Sequence, residues 1–379
     1  MLNRRSLRIK VMQSLFALQQ CKDANYELCL EKITDMLSPD LNSMEVQNKA
    51  ELAGQKKQAL QLFKEAFSKE ETSIDHKDLK IKKAVNDCLT FYYHQNKKDS
   101  NFFAKNLVSE VEKIYDRYIA VLSLAIEFLD LAEADKKVSH KNFVNNRWLT
   151  AIRDSPEMKK ELKKIGRHWG DKLDRVRVWF RDVVRQETEY LHYLDKKNPS
   201  LEDQKRFANH LFRKIILGKT VINEYFEEEV QRWAEDKEIV KGLVEKTIKS
   251  HDPEAKGSLT LHTLSVNWDD DKEFIEKLYS KGSQLEEKYK ALIANNTRNW
   301  EVDRLPLTDR IILEMAIAEL VIFPNIPVKV SINEYIELAK NYSTPKSRQF
   351  INGILDVMAK ELKTAGDVKK SGRGLIDNK

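Results

Sequence analysis

The chain has 379 residues, a formal net charge of +6 and a charged fraction of 33%. That length exceeds one ordinary compact core, so a domain carrying a large insertion is expected. Eleven Gly and eight Pro, about 5% of the chain against a typical ~12%, favour long helices over many short strands. A mean hydropathy of -0.58 is that of a soluble chain, and no stretch approaches the ~20 apolar residues of a membrane span. Cys21, Cys29 and Cys88 form no CxxC pair, which suggests a reducing compartment and no disulfide framework.

Charge is concentrated at the two ends. Arg4, Arg5, Arg8 and Lys10 precede the first acid, Asp23, and residues 360–379 hold six cations against three acids. Residues 4–20 form an amphipathic helix with Leu7, Val11, Leu15 and Leu18 on one face. Cations in its first turn oppose the helix dipole, which is better explained if an anion docks there. A transit peptide shares some of these traits, but the segment lacks Ser richness and continues as a core helix.

The middle, about 22–264, shows successive helical patterns. Leu107, Val111, Ile114, Tyr118, Val121, Ala125 and Phe128 form a heptad seam, which favours a long helix in an intramolecular bundle over a dimerising coiled coil. Ser155-Pro156 and Ser200 with Asp203 mark helix starts. Phe91, Tyr92, Tyr93, Phe102 and Phe103 are expected in the core rather than as a base-stacking platform. At an offset of 67 residues Phe207 pairs with Phe274, Leu211 with Leu278, Phe212 with Tyr279, Trp233 with Trp300, Asp236 with Asp303 and Lys237 with Arg304. A duplicated helix pair and convergent helical packing explain this equally well. His251–Ser258 is a turn and the expected boundary with the C-terminal part.

There, Asn267 precedes a helix whose Asp269, Asp270 and Asp271 suit the positive end of its dipole better than a metal site. Helix 308–323 is apolar almost all round and should be buried. Ser331 and Glu334 have capping-box spacing, and Thr344-Pro345 opens the last helix. Beyond Lys363 a Gly-, Lys- and Asp-rich tail is expected to be disordered.

No GxxxxGK[ST], GxGxxG, HExxH or GxSxG motif occurs. The histidines, His168 and His192 among them, lie without ligand spacing. The sequence therefore points away from an enzyme, a cofactor or a metal. Nucleic acid fits better: Arg4, Arg5 and Arg8 crowd one helix end, and Lys340, Tyr342, Ser343, Lys346, Ser347 and Arg348 form a cation-rich turn with one aromatic.

The N-terminal RRxxR helix and the segment VKVSINEYIELAKNYSTPKSRQFINGILD resemble the two ends of the bacterial transcription antitermination factor NusB family. Pro327, Val328, Ile332, Asn333, Glu334, Glu337, Ala339, Lys340, Phe350, Asn352, Gly353, Leu355 and Asp356 carry the match. The resemblance implies an all-α fold of two perpendicular three-helix bundles, formed by 1–21 and 265–362, with 22–264 as a helical insertion and 363–379 as the tail. It also implies a cytoplasmic RNA-binding antitermination factor. Its partners would be boxA-type sequence in nascent ribosomal RNA, a NusE-type small-subunit ribosomal protein and the transcription elongation complex. By position, Arg4, Arg5, Arg8, Lys10, Lys346, Ser347 and Arg348 would grip RNA, and Phe16 and Asp309 would meet the protein partner. Asn333, Asn352 and Gly353 are expected to serve packing. Two other readings compete: a fusion to an RNA-modifying enzyme, disfavoured because no Gly-rich βα segment occurs, and a protein scaffold without RNA binding, disfavoured by the basic N-terminus.

Overall fold

The computed structural model describes residues 2–40, 46–165, 169–230, 232–255, 257–297 and 305–378, with side chains to residue 376. Among them the chain is all-α. Its helices are α1 (Arg4–Met36), α2 (Lys49–Ser68), α3 (Leu79–Ala134), α4 (Lys141–Val144), α5 (Arg147–Asp154), α6 (Pro156–Ile165), α7 (Leu173–Trp179), α8 (Thr188–Leu194), α9 (Leu201–His210), α10 (Thr220–Glu229), α11 (Trp233–Ser250), α12 (Trp268–Ser283), α13 (Glu287–Thr297), α14 (Leu307–Ile322), α15 (Val328–Tyr342) and α16 (Pro345–Thr364). Short π-helical stretches, Phe180–Val184 and Leu211–Ile216, prolong α7 and α9.

The chain divides into two compact units. Unit 1 comprises Met1–Leu7 with Ser109–Asp271, and unit 2 comprises Arg8–Val108 with Lys272–Lys379. The division falls inside α1, α3 and α12, and residues 22–108 share a unit with the C-terminal helices. His168, Trp300, Asp303 and Arg304 lie outside the described residues.

Unit 1 is organised around the second half of α3. Val111, Ile114, Tyr118, Val121, Ala125 and Phe128 of the seam are all buried in the folded chain, as an intramolecular bundle requires. Two buried polar side chains are paired within the bundle: Tyr118 and Thr247 share a hydroxyl hydrogen bond of 2.5 Å, and the Trp169 indole donates to the Ala120 carbonyl at 3.1 Å. Helix starts follow the local chemistry. Ser200 and Asp203 form a reciprocal capping box on α9, and the Ser155 hydroxyl accepts from Met158 N–H at the start of α6.

In unit 2 the apolar stripe of α1 is inside, with Leu15 and Leu18 buried and Cys29 and Ile33 continuing it past the expected helix end at residue 20. These last two pack with Phe63 of α2 and with Val85, Cys88 and Leu89 of α3. Phe91, Tyr92 and Tyr93 are partly buried against this cluster, as expected, whereas Phe102 is 58% exposed. Buried residues occupy nearly every turn of α14, including two acids, Asp309 and Glu319.

Two sequence expectations fail here. Ser331 does not cap α15, which starts three residues earlier behind Pro327, an extended residue at the N-cap position with φ -60° and ψ 144°. The tail also differs from the disordered segment expected. The Lys370 ammonium donates to the Leu320 and Phe323 carbonyls at the end of α14, each at 3.0 Å. Ser371 N–H donates to the Pro324 carbonyl, and a 3-10 turn spans Gly372–Asn378. A Cβ at residue 374 would lie 2.0 Å from the Pro324 oxygen, so glycine is required for that approach. Cationic capping of orphan carbonyls, invisible to composition, orders this segment.

Candidate nucleic-acid interface

The N-terminal cations separate into different roles. In unit 1, Asn3 caps α1 by accepting from Ser6 N–H at 2.8 Å. Arg4 pairs with Asp270 and, at 3.3 Å, with Asp271 at the start of α12. Asp271 also accepts from the Ser265 hydroxyl at 2.6 Å, so these two acids are committed to protein partners. Arg5 is exposed.

In unit 2, Arg8 is 2% exposed and Lys10 1% exposed. Arg8 forms a bidentate pair with Glu319, both bonds 2.7 Å, and lies 3.5 Å from Glu334. Its guanidinium sits over the Phe274 and Tyr335 rings. Glu319 accepts two further bonds, from Ser331 at 2.7 Å and from Tyr335 at 2.9 Å. Burial by itself would depress the Arg8 pKa, but the Glu319 hydrogen bonds and charge carry it above its ordinary value. This cluster ties α1, α14 and α15 together. It gives Ser331 and Glu334 their work and gives Arg8 a structural role in place of the phosphate grip expected from sequence.

Helices α15 and α16 meet at a tight turn. The Lys340–Arg348 segment read as a loop is the end of α15, Ser343 and Thr344, and the first turn of α16. Thr344 accepts from Ser347 N–H and its hydroxyl lies 2.8 Å from that of Ser347. Ser347 is thus fully buried as part of the cap, and only Lys346 and Arg348 of the expected trio face solvent. Among the described residues neither of those two cations makes an ion pair.

Between the two helices runs a groove of about 650 Å³, lined by Asn333, Ile336 and Glu337 on α15 and by Pro345, Arg348, Gln349 and Asn352 on α16. Asn333, Asn352 and Gly353 are all exposed, which corrects the expectation that they serve packing. A Cβ at residue 353 would meet nothing within 4 Å, so no protein neighbour demands a glycine there. The lining offers three amides, one guanidinium and one carboxylate, and the exposed Gly353 adjoins Asn352 on α16. Sequence reasoning found the motif but not its orientation. The available signal was helical spacing: Ile351, Ile354, Leu355 and Met358 define the inward face of α16 and leave 352 and 353 outside it.

Of the expected partner contacts, Phe16 is 39% exposed on α1. Asp309 is fully buried and accepts from the Ser343 hydroxyl, so it supports the α15–α16 turn from beneath. No metal-binding cluster of His, Cys, Asp and Glu and no helix long and apolar enough to cross a membrane occurs among the described residues.

An all-α chain with a buried arginine–glutamate cluster and a polar groove between its last two α-helices is the class these observations define. Comparison with known proteins gives the family. The NusB family model matches residues 237–360, beginning inside α11. A transcription antitermination protein NusB of Salinibacter ruber is 41% identical over 120 residues, 31% of this chain and 75% of the relative. The corresponding protein of Chloroherpeton thalassium is 45% identical over 106 residues, 28% of this chain and half of the relative, and that of Natranaerobius thermophilus is 43% identical over 93 residues, 24% and 67%. The chain belongs to the NusB family. No solved structure matches it.

Proposed function

We propose that the protein is an RNA-binding transcription antitermination factor, and not an enzyme. In this reading it binds a boxA-type sequence of nascent ribosomal RNA together with a NusE-type ribosomal protein, in the cytoplasm, within the elongation complex. Residues 1–21 and 265–362 act as the family core and 22–264 as its insertion. The observation that carries the reading is the α15–α16 groove, where Asn333, Asn352 and Arg348 present uncommitted polar groups beside an uncovered Gly353. Amides and guanidinium groups suit the exposed edges and faces of unpaired bases, and Lys346 adds a phosphate contact. Arg5, exposed on unit 1, is a separate phosphate contact in this reading, whereas Arg4 is paired with Asp270 and Asp271, and Arg8, Lys10 and Ser347 support the fold.

The test is a titration with a boxA-like strand and a scrambled one at several salt concentrations, with and without the NusE-type protein. Preference for boxA that sharpens with the partner is expected; equal binding of both strands would leave only phosphate attraction and overturn the specific reading. Gly353→Ala adds a second readout. With open space at its Cβ, it should stabilise the helix by about 0.5–1 kcal/mol while weakening RNA binding. Unchanged affinity in that variant would remove the close backbone approach from the proposal.

A further inference from the structure

A second groove lies wholly within unit 2 and is built in half from residues outside those that match the family. The α3 stretch from Ser100 to Val108 forms one wall, and α12 with the residues after it, Lys272 to Gln284, forms the other, around a space of about 500 Å³. Tyr279 fixes the walls to each other by donating to the Ser100 carbonyl at 3.1 Å. Burial pushes the Tyr279 hydroxyl up to about 12, so it remains a donor across the physiological range.

The lining is mainly hydroxyls, amides and charge, with only Ala104 and Val108 as aliphatic side chains. Lys105 and Lys272 face the groove. Lys97 lies two turns before Ala104 on the same face of α3, while Lys98 and the exposed Phe102 lie on the same helix outside the lining. The exposed lysines elsewhere in unit 2 are often paired, as Lys277 with Glu273 and Lys290 with Glu287. Lys97, Lys98, Lys105 and Lys272 make no ion pair among the described residues. The lining itself holds two cations, Lys105 and Lys272, and one acid, Glu276, with Lys97 and Lys98 further along α3.

We infer that this groove is a second binding surface for single-stranded RNA, one that takes the strand beyond the element held at α15 and α16. Unpaired cations track a phosphate backbone, and a solvent-facing aromatic on the same helix offers a stacking face that accepts any base. Protein-binding hot spots instead centre on clusters of aromatic or aliphatic anchors, whereas here the buried Tyr279 is engaged with the Ser100 carbonyl and Val108 is the one sizeable aliphatic side chain. The hydroxyls of Ser100, Ser280 and Ser283 suit ribose 2′-OH groups and phosphate oxygens.

The inference rests on the proposed RNA binding, and the experiment separates the two. Full-length protein is titrated with a short strand holding only the boxA-like element and with a strand roughly twice as long. The variants are K97A/K105A/K272A and F102A, all at surface positions where folding should be retained, checked by circular dichroism and melting. Expected are unchanged affinity for the short strand and an affinity loss of roughly tenfold for the long one. The triple variant should also lower the slope of log K against log salt by about 2, at ~0.7 per phosphate contact. Folded variants that bind the long strand with wild-type affinity and slope overturn the groove while leaving the α15–α16 reading intact. A wild-type protein that binds neither strand overturns both. Loss of NusE-type protein binding with unchanged RNA binding would assign the groove to a protein and overturn it as well.

Discussion

In unit 1 Arg117 of α3 pairs with Asp236 of α11, which is fully buried; in unit 2 Arg8 of α1 pairs with Glu319 of α14, also fully buried. Each arginine is followed at the same spacing by a buried Ser-Leu, Ser123-Leu124 in one unit and Ser14-Leu15 in the other. The helices that follow keep the 67-residue register: α9 with its π extension covers 201–216 and α12 covers 268–283, while α10 and α13 start at 220 and 287. The register is lost only at the third helix, where α11 starts at 233 and α14 at 307. A helical device of one kind therefore occurs twice, with different completions. In unit 2, α15 follows and supplies Ser331 and Tyr335 to the buried acid. After α11 the described chain instead runs through residues 251–267 without a helix. Scaffold likeness is compatible with a difference in exposed surface, because core pairing constrains the inward face alone.

Breaking the ion pairs tests that comparison most strongly. Glu319→Ala leaves Arg8, Ser331 and Tyr335 buried without their shared acceptor and should cost about 3–5 kcal/mol in urea denaturation. Arg117→Ala should cost about 3 kcal/mol, nearer the low end, since the arginine side chain is 11% exposed against 3% for Arg8. Additive losses in the double variant would mean independent clamps; strong coupling would mean that the two units unfold as one.

Removing the matched caps is a gentler probe. Ser200→Ala and Asn267→Ala should each cost about 1 kcal/mol, since Ser200 accepts from Asp203 N–H and Asn267 from Asp270 N–H. A loss at one site alone would show that the two helix starts do different work.

The smallest effect is expected at Glu314 of α14. Burial pushes its carboxyl above the ordinary range, although Arg310, Lys22 and Lys290 face it and draw it back. The folded chain therefore holds this proton more tightly than the unfolded chain. The resulting stability is present at acidic pH and is lost as pH rises from the ordinary carboxylate value through the raised one. Glu314→Gln should flatten that dependence and change stability by less than about 1 kcal/mol at neutral pH, read from melting across a pH series. A steeper acid dependence in the variant would contradict the assignment.

Much of the architecture was legible because it is written in local periodicity. The seam in α3, the stripe Leu7, Val11, Leu15 and Leu18, and the starts at Ser155, Ser200 and Thr344 all arise from spacing within a few turns. The site was legible in part. Lys346, Arg348 and Phe16 are at the surface, but Arg8, Lys10, Ser347 and Asp309 are inside. A signal for Arg8 existed: it stands four residues before Met12 and seven before Leu15, on the edge of the apolar stripe. Glu319, an acid in a helix apolar nearly all round, demanded a buried cation. Nothing local joined the two.

The sequence by itself determined an all-α chain, its helix faces, and a C-terminal motif specific enough to name a family. Only the tertiary structure decided which arginines are core and which are surface, that Asn333, Asn352 and Gly353 look outward, and that the tail caps α14. The physical reason is range. Helix periodicity and capping are settled within a few residues, whereas the partner of Arg8 lies 311 residues away and is chosen by packing.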